Sequence, residues 1–145
     1  MPPTTWIRFG LCGLLAGIVW FVLNAMSLSL FAPDLVAAVE RGGPHTRWGG
    51  LAFLVIDLGM GLWAIWLYSA IKPRFGPGAR TAAMAGLAWW AIKSLQSAKW
   101  VGLGFVAPGV VLVPLATTLF AAVAATMVGA WFCDRGSAAA GTRVE

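Results

Sequence analysis

Leu51-Ala52-Phe53-Leu54-Val55-Ile56-Asp57-Leu58-Gly59-Met60-Gly61-Leu62-Trp63-Ala64-Ile65-Trp66-Leu67-Tyr68-Ser69-Ala70-Ile71 is a continuous apolar run with a single acid inside it. About 20 mostly apolar residues suffice for a helix to cross the hydrocarbon core of a bilayer. The run stops at Lys72-Pro73-Arg74-Phe75-Gly76-Pro77-Gly78, where proline ends a helix and glycine supplies backbone angles that other residues avoid. A second run, Thr81 to Gly104, follows and carries Lys93 near its middle. Asp57 lies about 18 residues before the turn and Lys93 about 18 after it, so two straight helices rising ~1.5 Å per residue bring both charges to nearly the same depth. An acid and a base at matched depth on adjacent antiparallel helices form a candidate intramembrane ion pair.

The rest of the chain has the same character. It is 145 residues long, 60% hydrophobic and 10% charged, with a mean hydropathy of +0.84. Soluble domains carry roughly 25% charged residues. Four segments are long and apolar enough to span a membrane: 9–31, 48–71, 81–104 and 108–133. The spans lack polar alternation, which excludes a β-barrel. The expected fold is therefore an all-α membrane protein, with four transmembrane helices in an up-down antiparallel bundle. Residues 1–135 form the single domain, and 136–145 a flexible cytoplasmic tail. Pro114 is expected either to kink the fourth span or to mark a late start.

The net charge of +5 reads as topology and not as a nucleic-acid surface, because the basic residues are dispersed over the loops. Arg8, Lys72, Arg74, Arg80, Arg135 and Arg143 share one side in a four-span arrangement. Arg41 and Arg47, on the other side, are balanced by Asp34 and Glu40. The positive-inside rule then places both termini in the cytoplasm. Arg8 and the apolar run after it resemble a signal peptide, but cleavage after Ala25 would put Leu23 where a small residue is preferred.

Each span carries small or polar residues at steps of three and four, which keeps them on one helix face. The sets are Gly10, Gly13, Gly17, Trp20, Asn24 and Ser27; Gly50, Asp57, Gly61 and Ala64; Ala82, Gly86, Trp90, Lys93, Ser97 and Trp100; and Thr118, Ala122, Ala125 and Gly129. Small residues let helix backbones approach closely in lipid. Gly13 and Gly17 have GxxxG spacing, which serves dimerisation or packing within the bundle equally well. Ala16 to Asn24 also echoes Ala85 to Lys93, pairing Gly17 with Gly86 and Trp20 with Trp89. So biased a composition produces such matches by chance, and the echo is read that way.

Asn24, Asp57, Lys93, Gln96 and Ser97 form the candidate intramembrane polar cluster, in the outer half of the membrane. It reads either as an ion-handling pocket or as a buried pair that sets helix register. Trp20, Trp89 and Trp90 are the candidate cavity aromatics, with packing as the plainer role. No cofactor or metal site is expected, since His45 is the single histidine and lies in a loop. Cys12 and Cys133 fall near the cytoplasmic side, a reducing setting, and form no CxxC pair. No hydrolase, metalloprotease, P-loop or dinucleotide motif is present, so no enzyme is expected.

The stretch Trp66-Leu67-Tyr68-Ser69-Ala70-Ile71-Lys72-Pro73-Arg74-Phe75-Gly76-Pro77-Gly78, with Ala16-Gly17 to Asn24-Ala25, resembles small bacterial four-helix inner-membrane proteins of unknown function. The resemblance implies a bacterial inner membrane and four spans, and it implies no site residue. The expected partners are the lipid bilayer and a second copy of the chain or a larger membrane complex, with no nucleic acid. The expected function is a non-enzymatic packing or accessory component of a membrane assembly. The alternative is a small ion- or proton-coupled transporter or channel using the Asp57–Lys93 pair.

Overall fold

A computed structural model of the chain describes residues 3–31, 33, 49–104 and 107–141. Four helices account for nearly all of them: α1 Pro3–Phe31, α2 Gly49–Phe75, α3 Ala79–Gly102 and α4 Pro108–Gly141. No strand occurs among the described residues. The loop carrying Asp34, Glu40, Arg41, His45 and Arg47 lies outside them, as does Arg143.

Three of the helices are long and apolar enough to cross a membrane, over Trp6–Phe31, Leu51–Phe75 and Val111–Arg135. The protein is therefore an all-α membrane protein. The helix α3 is of similar length but does not join that set, because Arg80, Lys93, Gln96 and Lys99 dilute its apolar residues. Pro114 lies inside α4, which already begins at Pro108, so it does not mark a late start. The same helix runs past position 133 to Gly141, through the Ala138-Ala139-Ala140 stretch where helix propensity is highest.

The α2–α3 turn forms as its composition dictates. Gly76 and Gly78 have φ of 81° and 120°, in the left-handed region that favours glycine. The Gly76 amide donates to the Lys72 carbonyl at 2.9 Å, and the Thr81 hydroxyl donates to the Gly76 carbonyl at 2.7 Å. Arg8 contacts Cys133, and Lys72 contacts Asp134. The start of α1, the turn and the C-terminal part of α4 thus gather at one end of the molecule, called here the turn end.

Packing is inverted relative to a soluble bundle. The buried core is mostly alanine, with Ala16, Ala64, Ala82, Ala85, Ala121, Ala122, Ala125 and Ala130 around Trp20, Ile65, Tyr68 and Trp89. Large apolar side chains such as Leu11, Phe53, Leu95 and Phe120 face outward. Lipid is as apolar as leucine, so helices gain little by burying large aliphatics and gain more by close backbone approach. The glycines show this directly. A Cβ added at Gly61 would fall on the α1 backbone at Gly13 and Gly17. One added at Gly86 would come within 2.8 Å of the Val123 Cα. Gly129 sits against the Ala16 side chain and the Cys12 carbonyl. The Gly13–Gly17 spacing is thus used inside the bundle, between α1 and α2. α1 packs closely along α2 and α4, and α3 along α4. α2 and α3 share less surface, centred on Tyr68, Ala82 and Ala85 near the turn end.

These contacts predict a sharp contrast between two glycines of similar sequence context. Gly61→Ala should lower stability by about 1–3 kcal/mol, since the added methyl overpacks against backbone. Gly10→Ala should be neutral or slightly stabilising, as nothing lies within 4 Å of its added Cβ. Unfolding titrations in mixed micelles measure both, and equal effects would contradict the close α1–α2 seam.

Candidate functional site

Trp20 projects from α1 into the middle of the molecule and is 1% exposed. Small residues make room for it: Ala64 on α2 and Ala121, Ala122 and Ala125 on α4 belong to the same buried cluster. Its indole Nε1 donates to Asp57 Oδ1 at 3.0 Å. The Lys93 ammonium lies 4.3 Å from the centre of its ring. The Trp89 ring from α3 leans on it, with centroids 4.4 Å apart and planes at 52°. One aromatic side chain therefore touches the acid by its N–H edge and the base by its π face.

The sequence places Asp57 and Lys93 in contact directly or through one water; in the structure the group that touches both is the Trp20 ring. Among the described residues the one ion pair is Lys72–Asp134. Counting residues from the turn fixes the height of a charge, but not what a third helix inserts beside it. The Trp20 ring takes the place of a direct contact: a cation attracted to the negative face of an indole, and a carboxylate accepting from its N–H.

The remaining candidates divide. Asn24, Lys93 and Ser97 share a cleft of about 190 Å³ with Pro114, Leu115 and Thr118. Gln96 is exposed and stands apart from it. Trp90 is half-buried, and its Nε1 donates to the Leu115 carbonyl at 2.9 Å. The Thr118 hydroxyl donates to that same carbonyl at 3.1 Å, and the Thr117 hydroxyl donates to the Pro114 carbonyl at 3.1 Å. Side chains thus cluster on the α4 backbone beside Pro114, which supplies no N–H of its own. The Trp89 Nε1 is buried with no acceptor among the described residues.

No protein-family model matches the chain, and no characterised protein or solved structure is detectably similar to it. The site therefore has to be read from its own geometry.

Two features escaped the sequence reading. The first is a polar clamp at the turn end. Tyr68 Oη donates to Asp134 Oδ2 at 2.6 Å, and Lys72 Nζ reaches Asp134 Oδ1 at 2.6 Å. The Gly78 amide donates to Tyr68 Oη at 3.2 Å, which ties the turn to the same carboxylate. Asp134 is the one acid within α4, but the sequence does not show which neighbouring helix faces it. The second is the pairing of Cys12 with Cys133 as a disulfide, with Cα atoms 5.8 Å apart. That separation is ordinary for a disulfide. Positions 121 apart in sequence carry no mark of proximity until α1 and α4 are known to be neighbours. No group of three or more metal-ligating side chains occurs among the described residues.

The bridge predicts a specific coupling. Trp20→Phe keeps most of the ring but leaves the Asp57 carboxylate without its indole donor, which should cost about 1–3 kcal/mol. In an Asp57→Leu background the same substitution should cost much less, because no stranded acceptor remains. Equal costs in both backgrounds, read from micelle unfolding curves, would remove the hydrogen bond from the account.

Proposed function

We propose that the chain is a non-enzymatic packing or accessory component of a membrane assembly, held in the bilayer as four spans of an up-down antiparallel bundle. The observation that carries this reading is the filling of the interior by Trp20 and Trp89 at the depth of the two charges. A conduction path needs water or substrate beside charged groups at membrane depth. Here Asp57 faces an indole N–H and Lys93 an indole face. Glycine and alanine at the α1–α2, α1–α4 and α3–α4 seams support the same reading, because they leave little free volume between backbones.

For the assembly itself the supporting surface is on α2. Trp63 and Trp66 stack with centroids 4.8 Å apart and planes at 25°, and both are about half exposed. A rigid aromatic pair turned away from the core offers large contact area to a second copy or a larger complex. The proposed setting is a bacterial inner membrane with both termini cytoplasmic, a reducing side on which Cys12 and Cys133, paired at the turn end, would be held as thiols in contact. Its support is the concentration of basic residues at the turn end and the resemblance of the Trp66–Gly78 stretch to small four-helix bacterial proteins.

A second reading, a small ion- or proton-coupled transporter or channel, is favoured by one observation: Lys93 borders the cleft shared with Asn24, Ser97 and Thr118. Flux separates the two. Proteoliposomes containing the purified chain should pass protons and alkali cations no faster than empty liposomes, and Asp57→Asn should change nothing. Flux that Asp57→Asn abolishes in a still-folded protein would replace the packing reading with transport. For topology, a cysteine placed at Gly43 in a chain lacking Cys12 and Cys133 should react with an impermeant maleimide on intact spheroplasts. Reaction only after lysis would reverse the orientation.

A further inference from the structure

Cys12, Gly13, Ala16, Gly17 and Trp20 are the buried positions of α1 among the described residues, and Thr81, Ala82, Ala85, Gly86 and Trp89 are those of α3. The two sets coincide member by member in the register of the echo between Ala16–Asn24 and Ala85–Lys93. Any two packed helices agree in some register, because burial recurs every three or four residues. Here the register is set in advance by the sequence, and chance composition does not supply that.

The helices that follow agree as well. A Cβ added at Gly17 would meet the Leu58 Cα at 2.7 Å and the Asp57 carbonyl oxygen at 3.0 Å. One added at Gly86 would meet the Val123 Cα at 2.8 Å and the Ala122 carbonyl oxygen at 3.0 Å. The same backbone atoms are met in the same order, which pairs Asp57 with Ala122 and Leu58 with Val123. Carried along α2 and α4, this register pairs Gly61, Ala64 and Ile65 with Thr126, Gly129 and Ala130, all of them buried. It also pairs Trp66 with Trp131, which are 50% and 54% exposed.

The charges break the match in a balanced way. Trp20 has Asp57 on its N–H and Lys93 over its ring. In the paired registers Asp57 answers to Ala122 and Lys93 to Asn24, so the acid and the base are both replaced by neutral residues in the set that belongs to Trp89. Trp89 is 3% exposed, and its Nε1 has no acceptor among the described residues. A buried N–H left unpaired is rare and calls for a cause.

We propose that α1–α2 and α3–α4 are two copies of one hairpin, facing each other across a pseudo-twofold axis between Trp20 and Trp89. The Trp89 N–H is then the donor of a second acceptor site, and Ala122 stands where that site has lost its carboxylate. Parallel repeats about an axis along the membrane normal recur among membrane proteins. The proposal is independent of whether the interior is packed or conducts.

The test is NMR of the indole N–H signals of the full chain in micelles, labelled at tryptophan, with an unfolding curve for each variant. Trp20→Phe and Trp89→Phe assign the two signals. Asp57→Ala should move the Trp20 signal upfield, as its acceptor is removed. Ala122→Asp should move the Trp89 signal downfield, as an acceptor is supplied. Ala125 is as deeply buried and belongs to the same cluster as Trp89, so Ala125→Asp is the comparison. It should leave the Trp89 signal in place and lower the folding equilibrium constant by about a hundredfold or more, as an uncompensated buried charge does. The loss in Ala122→Asp should be smaller by about tenfold or more. If Ala122→Asp does not fold, Ala122→Asn and Ala125→Asn make the same comparison without the charge. A Trp89 signal that stays in place in a folded Ala122 variant overturns the proposal. So does one that moves equally in the Ala125 variant. Failure of both Ala122 variants to fold overturns it too, since a vacated acceptor place has to admit an acceptor.

Discussion

The position of Trp20 is the constraint on which the interior depends. Its side chain has to reach from α1 past small neighbours to touch Asp57, Lys93 and Trp89 at once. On the proposed four-span reading, two ionisable groups at this depth carry an insertion cost of about 2.5–3.5 kcal/mol each on translocon scales. The indole offsets part of both. Its N–H satisfies one carboxylate oxygen, and its face attracts the ammonium, an interaction that reaches about 2 kcal/mol when desolvated. A direct salt bridge would meet the same need, but it would leave the middle of an alanine-lined core unfilled. The aromatic bridge joins charge compensation to packing in a single side chain.

That bridge requires the rest of the molecule to be narrow. Alanines at positions 64, 121, 122 and 125 leave the space for Trp20, while Gly13, Gly17 and Gly61 bring α1 against α2. The turn end is held by different means, with the Asp134 carboxylate shared by Tyr68 and Lys72 and the two cysteines joined across α1 and α4. The result is a molecule clamped by hydrogen bonds and a covalent link at one end, and held by aromatic contacts farther along.

Much of the fold was legible in the sequence because lipid imposes simple rules. Apolar length marked the helices, and Gly76-Pro77-Gly78 marked the turn, since few other residues adopt its backbone angles. The small-residue stripes located the contact faces, and Gly13 with Gly17 lies on one. The site was legible in part. Depth counting brought Asp57 and Lys93 to one level, yet Trp20 came between them, because residue counting says nothing about rotation around a neighbouring helix. Gln96 failed for the same reason: it lies close in sequence to Lys93 and Ser97 but is exposed. The Cys12–Cys133 and Tyr68–Asp134 contacts depend on which helices are neighbours, and a chain with four helices of similar length does not declare that order. The echo between Ala16–Asn24 and Ala85–Lys93 reads as compositional in the sequence, yet its aligned tryptophans meet at a tilt of 52° in the core and its aligned Asn24 and Lys93 line one cleft.

The weakest span on the proposed four-helix reading is α3, and its weakness follows from the same interaction. Removed from its neighbours, α3 presents Lys93 with nothing to neutralise it, and Arg80, Gln96 and Lys99 lower its apolar content further. Each of those three lies towards a helix end, where a long side chain can reach the interface. Lys93 is too far inside for that alone. Its accommodation comes from α1 and α2, which are made first and carry Trp20 and Asp57. On this view α3 enters the membrane as a dependent helix, stable there once the α1–α2 pair has formed and presented an indole face at the right depth. The close Gly17–Gly61 approach then has a role beyond packing. It sets the register of α1 on α2, and with it the place where the lysine of a less apolar helix is received.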